Sequence, residues 1–253
     1  MSKRFFGCML AVSAAVVVGR ATAQTPTTVR VRVVAHDAKV IGSAVGGAHV
    51  TVRDPATGTV LAEGLQEGGT GDTRAIMVDP WVHGASVYDT PEAAEFTFTL
   101  KLTQPTELEF MAEGPLGFDQ ATQRTSTTML VLPGEDILGD GIVLELHGFI
   151  VELLEPQGAE LADTIRVVAR VRMMCGCPQE RGGLWDADRL TVMAQVYNDS
   201  ALVRTAPLEF TGETNMFAGT LPTEGLAPGE RLLVTVADAE HVNFGRSGEI
   251  VLK

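Results

Sequence analysis

Two cysteines separated by one glycine form the part of this sequence with the most distinctive side-chain chemistry. Cys175 and Cys177 flank Gly176, and Met173 and Met174 stand directly before them. Thiolate and thioether sulfur atoms bind soft metal ions, and two neighbouring thiols can also be oxidised to a disulfide. This short segment is therefore the first candidate for a chemical site.

A local disulfide is the interpretation of Cys175 and Cys177 that we favour. On an extended strand, Cα atoms two residues apart are separated by about 6.6 Å, near the upper limit of the ~4.4–6.8 Å that disulfides accept. A bend at Gly176 would shorten that distance, and an oxidising compartment would favour the bond. The closed loop is very short, so the bond would stabilise the fold only slightly. No cofactor is expected in this case.

Two alternatives remain open for the cysteines. Their thiolates and Met173 form a donor set that suits Cu(I), although a further donor would be needed to complete the shell. Strand alternation places Met173 on the side of the cysteines and Met174 on the opposite side. In the other alternative both cysteines are plain buried thiols, because free cysteine packs as a small hydrophobic side chain.

A loop that carries two aromatic side chains and a histidine is the second candidate site. Trp81, His83 and Tyr88 lie close together in the sequence, with Asp79 and Asp89 nearby. Loops carried on a β-scaffold often bind ligands, and aromatic rings are common contact surfaces for sugars and proteins. The simpler interpretation, which we prefer, is that Trp81 folds back and caps one end of the core.

The other histidines and the remaining motifs indicate neither a metal site nor an active site. His36, His49 and His147 show no metal-ligand spacing, and His147 is predicted to point outward because it is out of phase with its apolar neighbours. The sequence contains no Gly-x-Ser-x-Gly, His-Glu-x-x-His, phosphate-loop or Cys-x-x-Cys motif. We therefore predict that the protein is not an enzyme.

Residues 1–23 have the features of a secretory signal peptide. The basic residues Lys3 and Arg4 precede the apolar run Phe5–Gly19, and the small residues at positions 21 and 23 mark a cleavage site before Gln24. The apolar run has about 15 residues, fewer than the ~20 that span a bilayer. We therefore predict a protein exported to the periplasm or the extracellular space, with no membrane span after cleavage.

The mature chain is strongly acidic. Cleavage removes three of the 19 basic residues and no acidic one, so 16 basic residues remain against 32 acidic residues and the net charge is −16. Such a surface repels phosphate backbones, and no basic run creates a local exception. Nucleic acid is therefore excluded as a partner, and an anionic membrane surface is disfavoured for the same reason.

Alternation of apolar and polar residues predicts an all-β fold. From Val29 to Val33, valines alternate with Arg30 and Arg32, the pattern of a strand with one buried face. Similar alternation recurs in stretches further along the chain, at 48–53, 60–62, 96–102, 107–110 and 142–147. The residues 54–58, Asp-Pro-Ala-Thr-Gly, predict a hairpin turn. Because each strand has one apolar face, two sheets must pack against each other.

The segment Gly47–Gly58 and the strand after it resemble the start of carboxypeptidase-regulatory or transthyretin-like domains. The shared features are a strand, a turn from Asp54 to Thr57 and Gly58, and a second strand. The resemblance implies a small sandwich of about seven or eight strands, used as an accessory module on secreted proteins. This sequence departs from the pattern at residues 67–72, where a longer glycine-rich segment follows, and no functional residue is carried over.

Residues 155–158, Glu-Pro-Gln-Gly, interrupt two apolar stretches and give the best domain boundary. We predict two tandem β-sandwiches after the signal peptide, a transthyretin-like domain at 24–155 and an Ig-like domain at 156–253. The second domain is predicted from short strands separated by turns over about 95 residues. The cysteine and tryptophan spacing of antibody domains is absent.

Accessory-type sandwiches without a catalytic motif indicate a binding role. We predict an exported, non-catalytic binding or scaffold module of the bacterial cell envelope, which presents loops to another envelope protein or to a surface polymer. The alternative is a periplasmic protein that binds or delivers Cu(I), or another soft metal, through Cys175, Cys177 and Met173.

Overall fold

The computed structural model describes residues 24–156 and 162–253, and the predicted signal peptide lies outside these residues. The described chain is almost entirely β-structure, which confirms the predicted all-β class. Its strands form four sheets, two in each half of the chain, an arrangement compatible with tandem β-sandwiches. No helix in the described ranges has the length and apolar character needed to cross a membrane.

The N-terminal half contains two sheets whose apolar faces pack together. Its strands are β1 (Thr25–Ala35), β2 (Ala48–Arg53), β3 (Val60–Gln66), β4 (Phe96–Leu102), β5 (Thr106–Gly114), β6 (Gln123–Val131) and β7 (Ile137–Leu146). One sheet has the order β4-β1-β7 and the other has the order β3-β2-β5-β6. Strands β1 and β7 run parallel to each other, and the other pairs are antiparallel.

The hairpin between β2 and β3 forms at the predicted turn. The Asp54 carboxylate accepts hydrogen bonds from the backbone N–H groups of Ala56 and Thr57, at 2.8 and 3.2 Å. Gly58 has a φ of +72°, in the left-handed region that glycine adopts without steric cost. Alternate residues of β2 are buried against the opposite sheet, as the period-2 pattern predicts.

The chain between β3 and β4 leaves its sheet and covers the outer face of strand β1. We call residues 67–95 the covering segment; it includes the short helix α1 (Thr73–Met77), whose first turn is capped by Asp72. Ile76 of this helix packs in a small apolar cluster with residues on either side of it in the chain, namely Val34, Val40, Ala93 and Ala94. The last part of β1 is therefore buried on both faces.

Arg32 does not follow the alternation of buried and exposed side chains that the sequence of β1 predicts. Its pattern predicts a solvent-facing side chain, but Arg32 is only 1% exposed because the covering segment lies over it. The guanidinium forms ion pairs with Asp89 at 2.9 Å and Glu95 at 3.0 Å, both in that segment. A buried charge requires such partners, so this arginine ties the covering segment to the sheet.

The C-terminal half also consists of two sheets, and all its strand pairs are antiparallel. Its strands are β8 (Phe149–Glu155), β9 (Thr164–Met173), β10 (Thr191–Asn198), β11 (Ala201–Pro207), β12 (Glu209–Phe210), β13 (Met216–Pro222), β14 (Arg231–Asp238), β15 (Asn243–Arg246) and β16 (Ile250–Val251). One sheet has the order β12-β13-β9-β8; the other has the order β11-β10-β14-β15, with β16 also paired to β14.

Strand β8 belongs to the C-terminal sheets, which corrects the predicted boundary after Glu155. That boundary assigned β8 to the N-terminal domain, but β8 pairs with β9 along its length. Glu155, the residue placed at the predicted boundary, therefore lies at the end of a strand that pairs with the C-terminal half. The change of sheets occurs at Gly148, whose φ of +146° favours glycine, and whose N–H donates to the buried Asn243 side chain at 2.6 Å.

The two halves share one continuous apolar core. Buried residues from Val29 in β1 to Leu252 near the C-terminus belong to a single cluster. Polar contacts also cross the junction: the Trp185 indole N–H donates to the backbone oxygen of Asp37 at 2.9 Å, and the Gln120 amide donates to that of Val151 at 3.3 Å. The junction is thus packed, and side chains from both halves hold fixed positions around it.

Candidate functional site

A cleft of about 530 Å³ opens where the two halves meet, and we call it the junction cleft. The N-terminal half contributes the end of β1 with His36, the covering segment with Trp81 and Tyr88, and Glu145 of β7. The C-terminal half contributes residues 240–242, Glu-His-Val, from the turn between β14 and β15. Ligand sites often lie in concave junctions with an apolar lining and a few convergent polar groups, so this cleft is the candidate site.

Trp81 and Tyr88, two residues of the predicted binding loop, line the junction cleft. Trp81 is 68% exposed, which is inconsistent with the preferred interpretation that it caps the core. Its indole N–H donates to the backbone oxygen of Ile76 at 3.3 Å, and its ring meets that of Tyr88 edge-on with centroids 6.3 Å apart. His83, the third residue of the loop, is exposed and is not among the residues that line the cleft.

The end of the loop at Tyr88 is held by hydrogen bonds to a single carboxylate. The Asp140 carboxylate accepts hydrogen bonds from the backbone N–H groups of Val87, Tyr88 and Asp89, at 2.7 to 2.9 Å. Hydrogen bonds to an ionised acceptor are stronger than those between neutral groups, so Asp140 holds the chain direction at this point. Burial raises the pKa of Tyr88, and the negative charges of Glu145 and Asp140 raise it further.

The parallel pairing of β1 with β7 brings His36, Glu145 and His147 together. Ala35 lies opposite Leu146, so His36 follows directly beside the end of β7, where its N–H donates to the Leu146 oxygen at 2.8 Å. Glu145 and His147 are two residues apart and therefore lie on the same side of the chain. The rings of His36 and His147 stack with centroids 3.8 Å apart.

Both ring nitrogens of His36 contact oxygen atoms. Nδ1 lies 2.8 Å from Oε1 of Glu145, and Nε2 lies 2.6 Å from the backbone oxygen of His241, which belongs to the C-terminal half. Burial by itself lowers the pKa of His36, but the hydrogen bonds to Glu145 and to the His241 oxygen outweigh this effect and raise the pKa above its ordinary value. His36 is thus a polar link between the two halves.

The C-terminal wall of the cleft is held by a second histidine. Nδ1 of His241 lies 2.9 Å from the Asp238 carboxylate and 3.5 Å from that of Asp37. Burial raises the pKa of Asp238, but the hydrogen bonds from His241 outweigh this effect and lower it below the ordinary value. Glu240 is paired with Arg189 at 2.8 Å. The cleft therefore has acidic and imidazole groups on both sides of the junction.

The cysteine turn is buried at the junction, outside the cleft lining. Cys175 and Cys177 form a close pair with Cα atoms 5.4 Å apart, within the ~4.4–6.8 Å that disulfides accept. The bend that this pairing needs occurs at Gly176, whose φ is +81°. A side-chain carbon at Gly176 would lie 2.9 Å from Val45, because the turn packs on the N-terminal half. The close pair agrees with the disulfide interpretation, which stays a prediction.

Met173 and Met174 have separate surroundings. The Met173 sulfur accepts a hydrogen bond from the Gln179 amide at 3.0 Å, and both side chains are buried. Met174 is fully buried and points toward Gly148 at the junction. In the described ranges, one group of three His, Cys, Asp or Glu residues has its donor atoms close enough to hold a metal ion; it consists of His36, Glu145 and His147. The Cu(I) hypothesis for the cysteines stays a prediction.

The sequence interpretation missed His36, Glu145 and His241 as residues of the site. The Glu145-x-His147 spacing was a usable signal, because it places two metal-binding side chains on one face of a strand. Their proximity to His36 depends on the parallel pairing of β1 with β7, strands at opposite ends of the N-terminal half. Alternation within one strand carries no information on that pairing.

Comparisons with known proteins do not assign this chain to a family. No family model matches the chain, and no curated protein matches it. Among solved structures, the chicken interferon gamma receptor alpha chain is similar over 91% of this chain and 98% of that chain, with 14% sequence identity and a TM-score of 0.29. A TM-score this low supports no argument about fold or function. The resemblance to transthyretin-like domains is not confirmed, and the all-β architecture follows from the strands themselves.

Proposed function

We propose that this protein is an exported, non-catalytic binding module of the cell envelope and that the junction cleft is its binding surface. The observation that carries the proposal is the position of Trp81, an exposed ring at the mouth of a concave surface lined by both halves. A large exposed aromatic ring contributes little to folding. It contributes strongly to binding when a partner covers it.

The favoured partner is a surface polymer built of uncharged sugars. A sugar ring can stack on the face of Trp81, and its hydroxyl groups can donate to the carboxylates of Glu145 and Glu240 at the sides of the cleft. The net charge of −16 disfavours an anionic polymer. A basic segment of another envelope protein is the competing partner, and its binding would weaken steeply with added salt because charge attraction would dominate.

The polar groups of the cleft support a binding role. Glu145 is paired with His36, and Glu240 is paired with Arg189. Both carboxylates are thus held by partners. Paired carboxylates and an exposed aromatic ring that line one cleft suit recognition of a ligand.

Affinity measurements on Trp81→Ala test the proposal. The mature, untagged chain is titrated with neutral envelope polysaccharides in low and high salt. We expect Trp81→Ala to weaken binding by about 2 kcal/mol, a loss of more than tenfold. Leu130→Ala is the matched control, because Leu130 is 58% exposed on β6 and does not line the cleft. Equal affinities of the two variants would contradict the proposal. Polysaccharide binding that is lost in high salt would also contradict it, because an uncharged polymer offers no charge attraction for salt to screen.

A further inference from the structure

We propose that His36, Glu145 and His147 form a binding site for a divalent transition-metal ion of the zinc type, at the edge of the junction cleft. Their donor atoms, a nitrogen from each imidazole and a carboxylate oxygen, all lie within 4.8 Å of one another. Two imidazoles and one carboxylate are a donor set that proteins use for Zn²⁺, with water or a ligand in the remaining position.

The backbone brings these donors together without any long side chain reaching across the surface. His36 and His147 each lie directly beyond the end of a strand, β1 and β7, and the parallel register of these strands places them side by side. Glu145 is the exposed residue of β7 that precedes His147 on the same face. Three donors at the adjacent ends of two paired strands form a compact set, which lowers the entropy lost when an ion is bound.

The hydrogen bonds of His36 leave its Nδ1 and a Glu145 oxygen directed at each other, as two donors for one ion. The backbone oxygen of His241 can only accept, so Nε2 of His36 carries a proton and donates to it at 2.6 Å. In a neutral ring Nδ1 then has a lone pair, which points at a carboxylate oxygen 2.8 Å away. A cation bound by both atoms is one arrangement that satisfies these two acceptors.

The contact with His241 is the arrangement that metal-binding histidines commonly have. Such a histidine usually donates its second ring N–H to a carbonyl or carboxylate, which fixes the ring orientation and makes the ligand nitrogen more basic. His36 has this contact through Nε2, and Nδ1 faces the other donors. The supporting oxygen belongs to the C-terminal half, so the ion would hold a residue that links both halves.

Small side-chain movements complete the site. Zinc bonds to nitrogen and oxygen are about 2.0–2.2 Å long, so two donors on one ion lie farther apart than the hydrogen bond between His36 and Glu145. Glu145 can withdraw slightly, because its side chain is 48% exposed. His147 is 52% exposed and rotates off its stack with His36 to direct Nε2 to the ion. Of the three donors, His36 is the one whose ring is held in place by its contacts.

Zinc titration of the mature, untagged chain tests the site. The metal-free protein is titrated with ZnCl₂ at neutral pH and monitored by calorimetry, without any sugar or other partner, so the result does not depend on the proposed function. We expect about one equivalent to bind, and His147→Ala and Glu145→Gln to weaken binding by more than about 100-fold, since loss of a ligand exceeds loss of a supporting contact. His83 is exposed and remote from this cluster in the chain, so the His83→Ala variant should bind zinc as the wild type does.

Cobalt substitution identifies the donors independently of the variants. Co²⁺ bound by nitrogen and oxygen donors gives visible d–d absorption, and thiolate ligands add an intense near-ultraviolet charge-transfer band. We expect the first signal without the second, and its loss in His147→Ala, whose folding is checked by circular dichroism. Failure of the wild type to bind zinc at millimolar concentration, unchanged binding by His147→Ala, or a thiolate band would each overturn the proposal.

Discussion

The loop around Trp81 and the turn at Cys175–Cys177 both lie beside the junction of the two halves, but they differ in what they present to solvent. Trp81 is exposed at the mouth of the junction cleft, and the backbone at Tyr88 is held from behind by Asp140. The two cysteines are buried, and their turn packs on Val45. The comparison teaches that the location of a side chain, and not its reactivity alone, decides whether it can meet a partner.

Arg32→Ala, which affects the segment that carries the Trp81 loop, should lower the stability of the protein more than the other substitutions below. The substitution removes a buried guanidinium that pairs with Asp89 and Glu95 and so ties the covering segment to β1. We expect the free energy of unfolding to fall by about 3 kcal/mol, measured by urea denaturation. Arg30→Ala is the control, because Arg30 pairs with the same two acids but is partly exposed, and it should cost about 1 kcal/mol. Equal losses would mean that burial of Arg32 does not matter.

Gly176→Ala, in the cysteine turn, should cause the next largest loss of stability. Its φ of +81° is unfavourable for alanine, and the added carbon would lie 2.9 Å from Val45. We expect a loss of about 2 kcal/mol in the free energy of unfolding, the sum of backbone strain and a steric conflict at the junction. Gly182→Ala has a similar φ of +67° but open space around it, so it should lose only about 1 kcal/mol, the strain alone. If both variants lose the same amount, the turn does not pack tightly on the N-terminal half.

Asp140→Asn should loosen the loop without disturbing the cysteines. The variant keeps one side-chain oxygen but loses the negative charge that accepts hydrogen bonds from three successive N–H groups, at residues 87–89. We expect about 1.5 kcal/mol less protection against hydrogen exchange at these amides, with amides of the cysteine turn unchanged. Asp136→Asn is the control: it removes the charge from the acceptor of a single hydrogen bond, donated by the Thr28 N–H, and it should leave residues 87–89 protected.

Asp238→Asn should have the smallest effect, and that effect should depend on pH. The folded protein holds the pKa of Asp238 below its ordinary value, so this carboxylate stabilises the fold above its unfolded pKa of about 3.9 and loses that contribution as the pH falls. We expect the variant to be about 1 kcal/mol less stable than the wild type at pH 7. The difference should shrink as the pH falls from about 5 to about 3. A difference that is constant over this interval in urea denaturation would contradict the assigned role of the His241 contact.

Much of the fold could be predicted from local pattern. The alternation in β2 and the Asp54–Gly58 turn correctly predicted a hairpin, because both depend on contacts within a few residues. Arg32 could not be predicted, since its burial depends on Asp89 and Glu95 in a segment far along the chain. Strand β8 was assigned to the wrong half for a similar reason. The residues Glu-Pro-Gln-Gly at 155–158 do not reveal with which strand the segment before them pairs.

The candidate site could be predicted only in part. Trp81 and Tyr88 were identified from residue type, and they do line the junction cleft. His36 and Glu145 were not identified, because their meeting requires β1 and β7 to pair in parallel. The contact of His36 with the His241 oxygen also requires the two halves to pack together. These relations are tertiary, and one sequence contains no local signal for them.

Fluorescence of Trp81 during ligand binding tests the central claim, that the exposed loop at the cleft meets the partner. Trp185→Phe leaves Trp81 as the one tryptophan of the chain, so its emission and its quenching by acrylamide report on the cleft alone. The variant is titrated with the polysaccharide that the wild type binds. We predict a blue shift and strong protection of Trp81 from acrylamide at saturation. A chain that binds the polymer while Trp81 stays fully open to acrylamide would contradict the account.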